Sequence, residues 1–206
     1  MKTTSLFQLG GIAILLSAIL TGLGNLIYLL SGQPDQPITL DIWRGIFSGA
    51  FFVLGFGALF VRQSQRSGIL GLIGYIFIML AQMYFFGSDA VNLAAAAGAI
   101  SREQILRVPS YALVDTVLPW IWASGLLFFG ISIFRAKVAS QYSGVLLVLV
   151  GLIQPLTGPL AFTRPIYAIF YFVAWAWLGW DLYSKARLQG NEQPGIQQTL
   201  TANPSR

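Results

Sequence analysis

Six long apolar runs, separated by short polar junctions, account for nearly all of this 206-residue chain. Crossing the hydrocarbon core of a bilayer takes a helix of roughly 20 apolar residues. In lipid every backbone N–H and C=O must find its partner within the protein, which a helix achieves along its own length. Only 9% of the residues are charged, against about 25% in soluble domains. The expected fold class is therefore all-α, an integral membrane bundle of six transmembrane helices. The spans read as 6–30, 41–61, 68–86, 111–134, 142–162 and 166–183, together one membrane domain over 1–189. The stretch 190–206, rich in Gln, Pro and Asn, reads as a disordered tail.

Basic residues collect at every second junction. Lys2, Arg62, Arg66, Arg135, Lys137, Lys185, Arg187 and Arg206 fall on the side of the N-terminus, whereas Arg44, Arg102, Arg107 and Arg164 fall opposite. Lys and Arg are retained on the cytoplasmic face, so both termini are expected in the cytoplasm, across a cell (plasma) membrane of bacterial inner-membrane type. Lys2 before an apolar stretch resembles a secretory signal, but the run from Leu6 to Leu30 exceeds the 7–15 residues of such a segment. It is expected to remain as the first span.

The net charge of +5 is spread over helix ends. Nucleic-acid binding needs a basic surface interleaved with aromatics, and none is present, so no nucleic-acid partner is expected. The chain has no cysteine and no histidine. That removes thiol nucleophiles, Fe–S and thiolate metal sites, bis-His haem, His-ligated zinc and a His general base. No cofactor and no metal are expected. There is also no mid-span Lys for a retinal Schiff base and no paired Asp-rich motif for magnesium.

Between the third and fourth runs lies the one long loop, 87–109. Ser88 or Asp89 is placed to cap a short helix through Ala94–Ala97, and Ser101-Arg102-Glu103-Gln104 reads as a capping box ending before Pro109. The segment is expected to be helical and either to lie at the headgroups or to cover a cavity. A weak repeat pairs Gly57–Arg62 with Gly130–Arg135 and Ser67-Gly68 with Ser143-Gly144.

Polar side chains within lipid are costly and need a partner or water. Here they are unevenly placed. Asn25, Arg44, Gln82, Asp115, Gln154 and Arg164 all belong to the half of the bundle away from the termini. Ser17, Thr21 and Asn25, four apart, share one helical face, as do Gly144, Gly151, Gln154 and Gly158 on the fifth run. Gly45 and Gly49 form a close-approach motif. Pro119, Pro155 and Pro159 loosen two helices at similar depth. These features predict an outward-facing cavity with ligand-binding residues Asn25, Arg44, Gln82, Asp115, Trp122, Gln154, Tyr171 and Trp175, with Tyr75 as a further wall. Arg44 is the expected ionic partner of Asp115.

Three functions compete on these residues. One is binding or transport of a small apolar molecule or lipid. The second is a structural or accessory subunit, docking its glycine faces on a membrane-protein partner or on a second copy in a homo-oligomer. The third is a membrane-embedded acid–base enzyme of isoprenoid-cyclase type with Asp115 as the catalytic acid.

Overall fold

The computed structural model describes residues 3–30, 39–101, 104, 108–157, 160 and 163–201, without the side chains of 3, 23, 26–30, 39, 110–112, 115 and 190–201. Every regular element among these residues is helical. Helix α1 is Thr3–Leu30. A helical stretch Thr39–Ala96 is interrupted at Gly68, where φ is 61° and ψ −166°, and this divides it into α2 (39–67) and α3 (69–96). Helix α4 is Pro109–Ala136, α5 is Gln141–Ile153 with a 3-10 turn Gln154–Thr157 after it, and α6 is Thr163–Thr201.

Thr4–Gly22, Leu40–Ala96 and Thr116–Ala136 are long and apolar enough to cross a membrane, and Gln141–Thr157 is a shorter apolar helix. Leu54, Ile69, Met83, Trp120, Tyr142, Ile169 and Trp180 project outward, each at least 60% exposed. Water-soluble surfaces rarely carry so continuous an apolar coat. The chain thus has the helices and the exterior of a membrane protein.

Four differences from the sequence reading have local causes. The α2–α3 junction has no loop, because the glycine alone turns the chain through a conformation that side-chain-bearing residues avoid. Helix α3 does not stop near Phe86 but runs on through the Ala-rich stretch to Ala96, since Gly87 lowers helix stability without ending a helix. The fifth apolar run is not one helix to Phe162. Pro155 lacks an N–H and crowds the carbonyl four residues earlier, so the α-helix closes at Ile153 and tightens into the 3-10 turn. Helix α6 continues past Tyr183 to Thr201, into the stretch read as a disordered tail; extending a helix already anchored in a bundle needs only propagation.

Of the capping box, Ser101 and Gln104 are described. The Ser101 N–H donates to Gln104 Oε1 at 3.3 Å, and the Gln104 N–H donates to the Ser101 carbonyl at 3.0 Å. Positions 102, 103 and 105–107 lie outside the described residues, as do the first distal loop (31–38) and Gly158-Pro159.

The helices form a ring of neighbours. Helix α1 packs on α2 and α6, the α2–α3 pair packs on α4, α4 on α5, and α5 on α6. Main chains approach closely at glycines along four seams. A Cβ on Gly55 (α2) meets Gly10 O of α1 at 2.6 Å, and one on Gly11 (α1) meets Gly179 O of α6 at 2.7 Å. On α3, a Cβ at Gly74 meets Phe129 N of α4 at 2.5 Å; between α4 and α5, Gly130 and Gly144 face each other's carbonyls at 2.7 Å. The repeat seen in sequence therefore has two different uses, a chain reversal at Gly68 and a helix contact at Gly144.

Inside the ring runs an aromatic column. Phe52 meets Trp175 edge-on at 4.7 Å, Phe56 meets Phe129 at 4.5 Å, and Tyr75 stacks between Phe56 and Phe60 at 5.4 and 4.1 Å. Tyr75 is thus a core residue. At the end bearing the N-terminus, Asp181 accepts the Ser140 N–H at 3.0 Å and pairs with Lys185 at 3.1 Å, which holds the α4–α5 link against α6.

The glycines give a graded stability test. Gly74→Ala should lower stability by about 1–3 kcal/mol through overpacking, and Gly68→Ala by a similar amount through backbone strain alone. Gly57→Ala, whose Cβ has only the Tyr75 hydroxyl at 4.0 Å, should raise stability by up to about 1 kcal/mol. Thermal unfolding in mild detergent, followed by size-exclusion chromatography, reads all three; equal effects would refute this packing scheme.

Candidate functional site: a polar cavity at the distal end

The end of the bundle remote from the N-terminus, Gly68 and the α4–α5 link encloses a cavity of about 310 Å³. Thr21 and Asn25 of α1 line it, with Arg44, Gly45, Ser48, Gly49 and Phe52 of α2 and Gln82, Phe85 and Asp89 of α3. Trp122 of α4, Gln154 of the 3-10 turn, and Tyr167 and Tyr171 of α6 complete the wall. Five helices and the 3-10 turn that extends α5 each contribute.

Helical spacing explains how the lining converges. On α1, Thr21 and Asn25 follow Ser17 at steps of four, and the face they share meets α2. Thr21 Oγ1 lies 2.6 Å from Ser48 Oγ, Ser17 Oγ lies 3.2 Å from it, and Ser48 donates to the Ser17 carbonyl at 3.0 Å. On α2, Arg44, Ser48 and Phe52 repeat the same step. Gly45 and Gly49 sit beside them and open room toward α3: a Cβ on Gly45 meets Asp89 Oδ2 at 2.8 Å, and one on Gly49 meets Gln82 Nε2 at 2.6 Å. The motif read as a helix–helix contact thus makes space for two polar side chains of the cavity.

Arg44 is held from two sides. Its Nε donates to Asp41 Oδ1 at 2.9 Å, one turn earlier, and its Nη1 donates to the Leu20 carbonyl of α1 at 2.7 Å. The guanidinium lies directly on Gly24, where any side chain would collide with it. Its ion-pair partner among the described residues is Asp41; the expected pairing with Asp115 falls on a side chain outside the described residues. An i, i+3 partner on the same helix is in reach without any rearrangement of the bundle.

Beneath the polar rim lies an aromatic floor. Trp122 contacts Phe85 at 5.6 Å, Phe52 at 5.9 Å and Tyr171 at 6.4 Å, and Tyr167 contacts Tyr171 at 5.6 Å. Trp175 lies one layer deeper, against Phe52 and Tyr171, and is 1% exposed. It supports the floor and does not line the cavity.

Of the residues predicted from sequence, the structure brings Asn25, Arg44, Gln82, Trp122, Gln154 and Tyr171 around this one space. Trp175 is placed below it, and the Asp115 side chain lies outside the described residues. Arg164 turns to the main chain, its Nε donating to the Thr157 carbonyl at 3.1 Å, which together with Thr163 Oγ1 on the Leu160 carbonyl at 2.6 Å pins the 3-10 turn to the start of α6. Asp89, Ser48, Phe52, Phe85 and Tyr167 are additional members. Asp89 is legible only once α3 is extended, for then Gln82, Phe85 and Asp89 fall at i, i+3 and i+7 on one face.

Among the described residues no group of three or more Asp, Glu, His or Cys side chains is arranged to hold a metal ion. Comparison with protein-family models, with curated proteins and with solved structures gave no match.

Replacing Arg44 by Met should cost about 1.5–3 kcal/mol, because two hydrogen bonds from a charged donor are lost and Asp41 is left behind. The double substitution Asp41→Asn with Arg44→Met should lose less than the sum of the two single changes in a thermal-unfolding cycle. Strict additivity would mean that the pair contributes nothing.

Proposed function

We propose that the chain crosses a cell (plasma) membrane six times, with both termini in the cytoplasm, and binds or transports a small molecule or lipid through a cavity open to the exterior. The observation that carries this reading is the convergence of polar side chains from separate helices on one 310 Å³ space above an aromatic floor. Polar groups facing lipid or sealed without partners are unfavourable; polar groups around a wet, ligand-sized hollow are not. The charge distribution supports the orientation, since the junctions at the cavity end are the Lys- and Arg-poor ones.

The lining also amends the ligand class. Most of its side chains carry hydrogen-bonding groups, so the ligand presents a polar group to the rim, and any apolar part meets Phe52, Phe85 and Trp122 or leaves sideways toward lipid. A docking role through glycine faces has less to draw on, because Gly10, Gly11, Gly55, Gly74, Gly130, Gly144 and Gly179 all meet neighbouring helices of the same chain. The acid–base reading rests on Asp115, whose side chain is not described, and no observation here adds to it.

The absence of cysteine from the chain makes the test direct. Single cysteines at positions 25, 82, 89 and 154 should react with a membrane-impermeant maleimide added outside intact cells, whereas one at position 126, in the packed interior, should not. Silence at all four cavity positions, in correctly folded protein, would remove the cavity and the function built on it.

A further inference from the structure

The charges and unmet acceptors of the cavity narrow its ligand further, on the premise that the cavity reading above holds. The charged side chains among its described lining are Arg44 and Asp89. Arg44 already has a counter-ion in Asp41 and a second acceptor in the Leu20 carbonyl. Asp89 Oδ2 reaches the hollow beside Gly45, the residue next to Arg44, and lines the same space. Among the described side chains here, two carboxylates, Asp41 and Asp89, accompany one guanidinium, an excess of one negative charge. In a cleft with apolar walls such an excess attracts a cation.

Two further observations specify the cation. Gln154 lines the cavity, and its buried Oε1 receives no hydrogen bond from the described residues, so a ligand N–H or O–H that reached this amide would satisfy it. A buried carbonyl oxygen left without a donor is unfavourable, and a ligand that supplies one gains by it. The floor of the cavity is aromatic, with Phe52, Phe85, Trp122, Tyr167 and Tyr171 linked ring to ring. Aromatic faces attract ammonium groups more strongly once these are out of water. Metal cations fit this wall poorly, because they require several oxygen ligands in a tight shell.

We infer that the cavity binds a protonated primary amine, with Asp89 as its counter-charge, Gln154 Oε1 as a hydrogen-bond acceptor and the Trp122 and Tyr171 rings as its wall. The same ammonium chemistry is presented by a small free alkylamine and by an aminoethyl lipid headgroup.

Two experiments separate these sources. Purified protein in a neutral maltoside detergent is titrated with butylammonium and with butanol, its neutral counterpart, following tryptophan fluorescence. In parallel, native mass spectrometry compares retention of phosphatidylethanolamine, phosphatidylcholine and phosphatidylglycerol. The amine should bind at least tenfold more tightly than the alcohol, or phosphatidylethanolamine should be retained over both other lipids. The first result assigns a free amine, the second a lipid headgroup. Asp89→Asn should abolish the preference while leaving the thermal midpoint in place; if that variant does not fold, the wild-type comparison of amine with alcohol decides alone. Equal binding of amine and alcohol, with no preference among the lipids, overturns the amine assignment and leaves the cavity reading intact. No binding of any probe, with silent cysteines at 25, 82, 89 and 154, ends both.

Discussion

Close approach of main chains at glycine is the constraint on which the arrangement of these helices depends. Surrounded by lipid, apolar side chains gain little by leaving one apolar medium for another, so helices associate through dense packing and interhelical polar contacts. Gly10 with Gly55, Gly11 with Gly179, Gly74 with Gly125, and Gly130 with Gly144 bring α1, α2, α3, α4, α5 and α6 together along four seams. With those distances set, the interior packs around the Phe52–Trp175–Phe56–Phe129 column.

The same packing decides where space remains. Toward the N-terminal end the rings meet one another and fill the bundle. Toward the other end the seams change character. Ser17, Thr21 and Ser48 bond to one another across α1 and α2, whereas Gly45 and Gly49 face the polar tips of Asp89 and Gln82. The bundle thus passes from glycine against backbone, through hydroxyl against hydroxyl, to a hollow rimmed by amides and charges. Arg44 marks the transition, tied to the Leu20 carbonyl on one side and to Asp41 on the other.

Much of this was legible in the residues, and the exceptions have definite causes. A polar residue inside an apolar run carries depth and helical phase together, which is why the sequence alone places Asn25, Gln82 and Gln154 around one space. Asp89 lies beyond the apolar run, so hydropathy assigned it to a loop; the helix-forming Ala90 and Ala94–Ala96 were the stronger signal. Tyr167, Tyr171 and Trp175 do share a face, but one helical turn lowers Trp175 by roughly 6 Å, enough to take it from wall to core. Pro155 announced the end of α5, yet the apolar residues after it made the run look continuous. The seat of Arg44 on the Leu20 carbonyl required knowing how close α1 lies, and Gly24 reveals that only when the Arg44 guanidinium is seen resting on it.

The single-residue turn at Gly68 has a mechanical consequence. It joins α2 and α3 at one end, and the side chains that these helices give to the cavity lie some 20 residues away at the other, a lever arm of roughly 30 Å. A rotation of about 5° at this pivot would displace Arg44 and Ser48 relative to Gln82 and Asp89 by roughly 3 Å. The width of the cavity mouth is therefore geared to two backbone torsions at its far end, on the opposite side of the bundle.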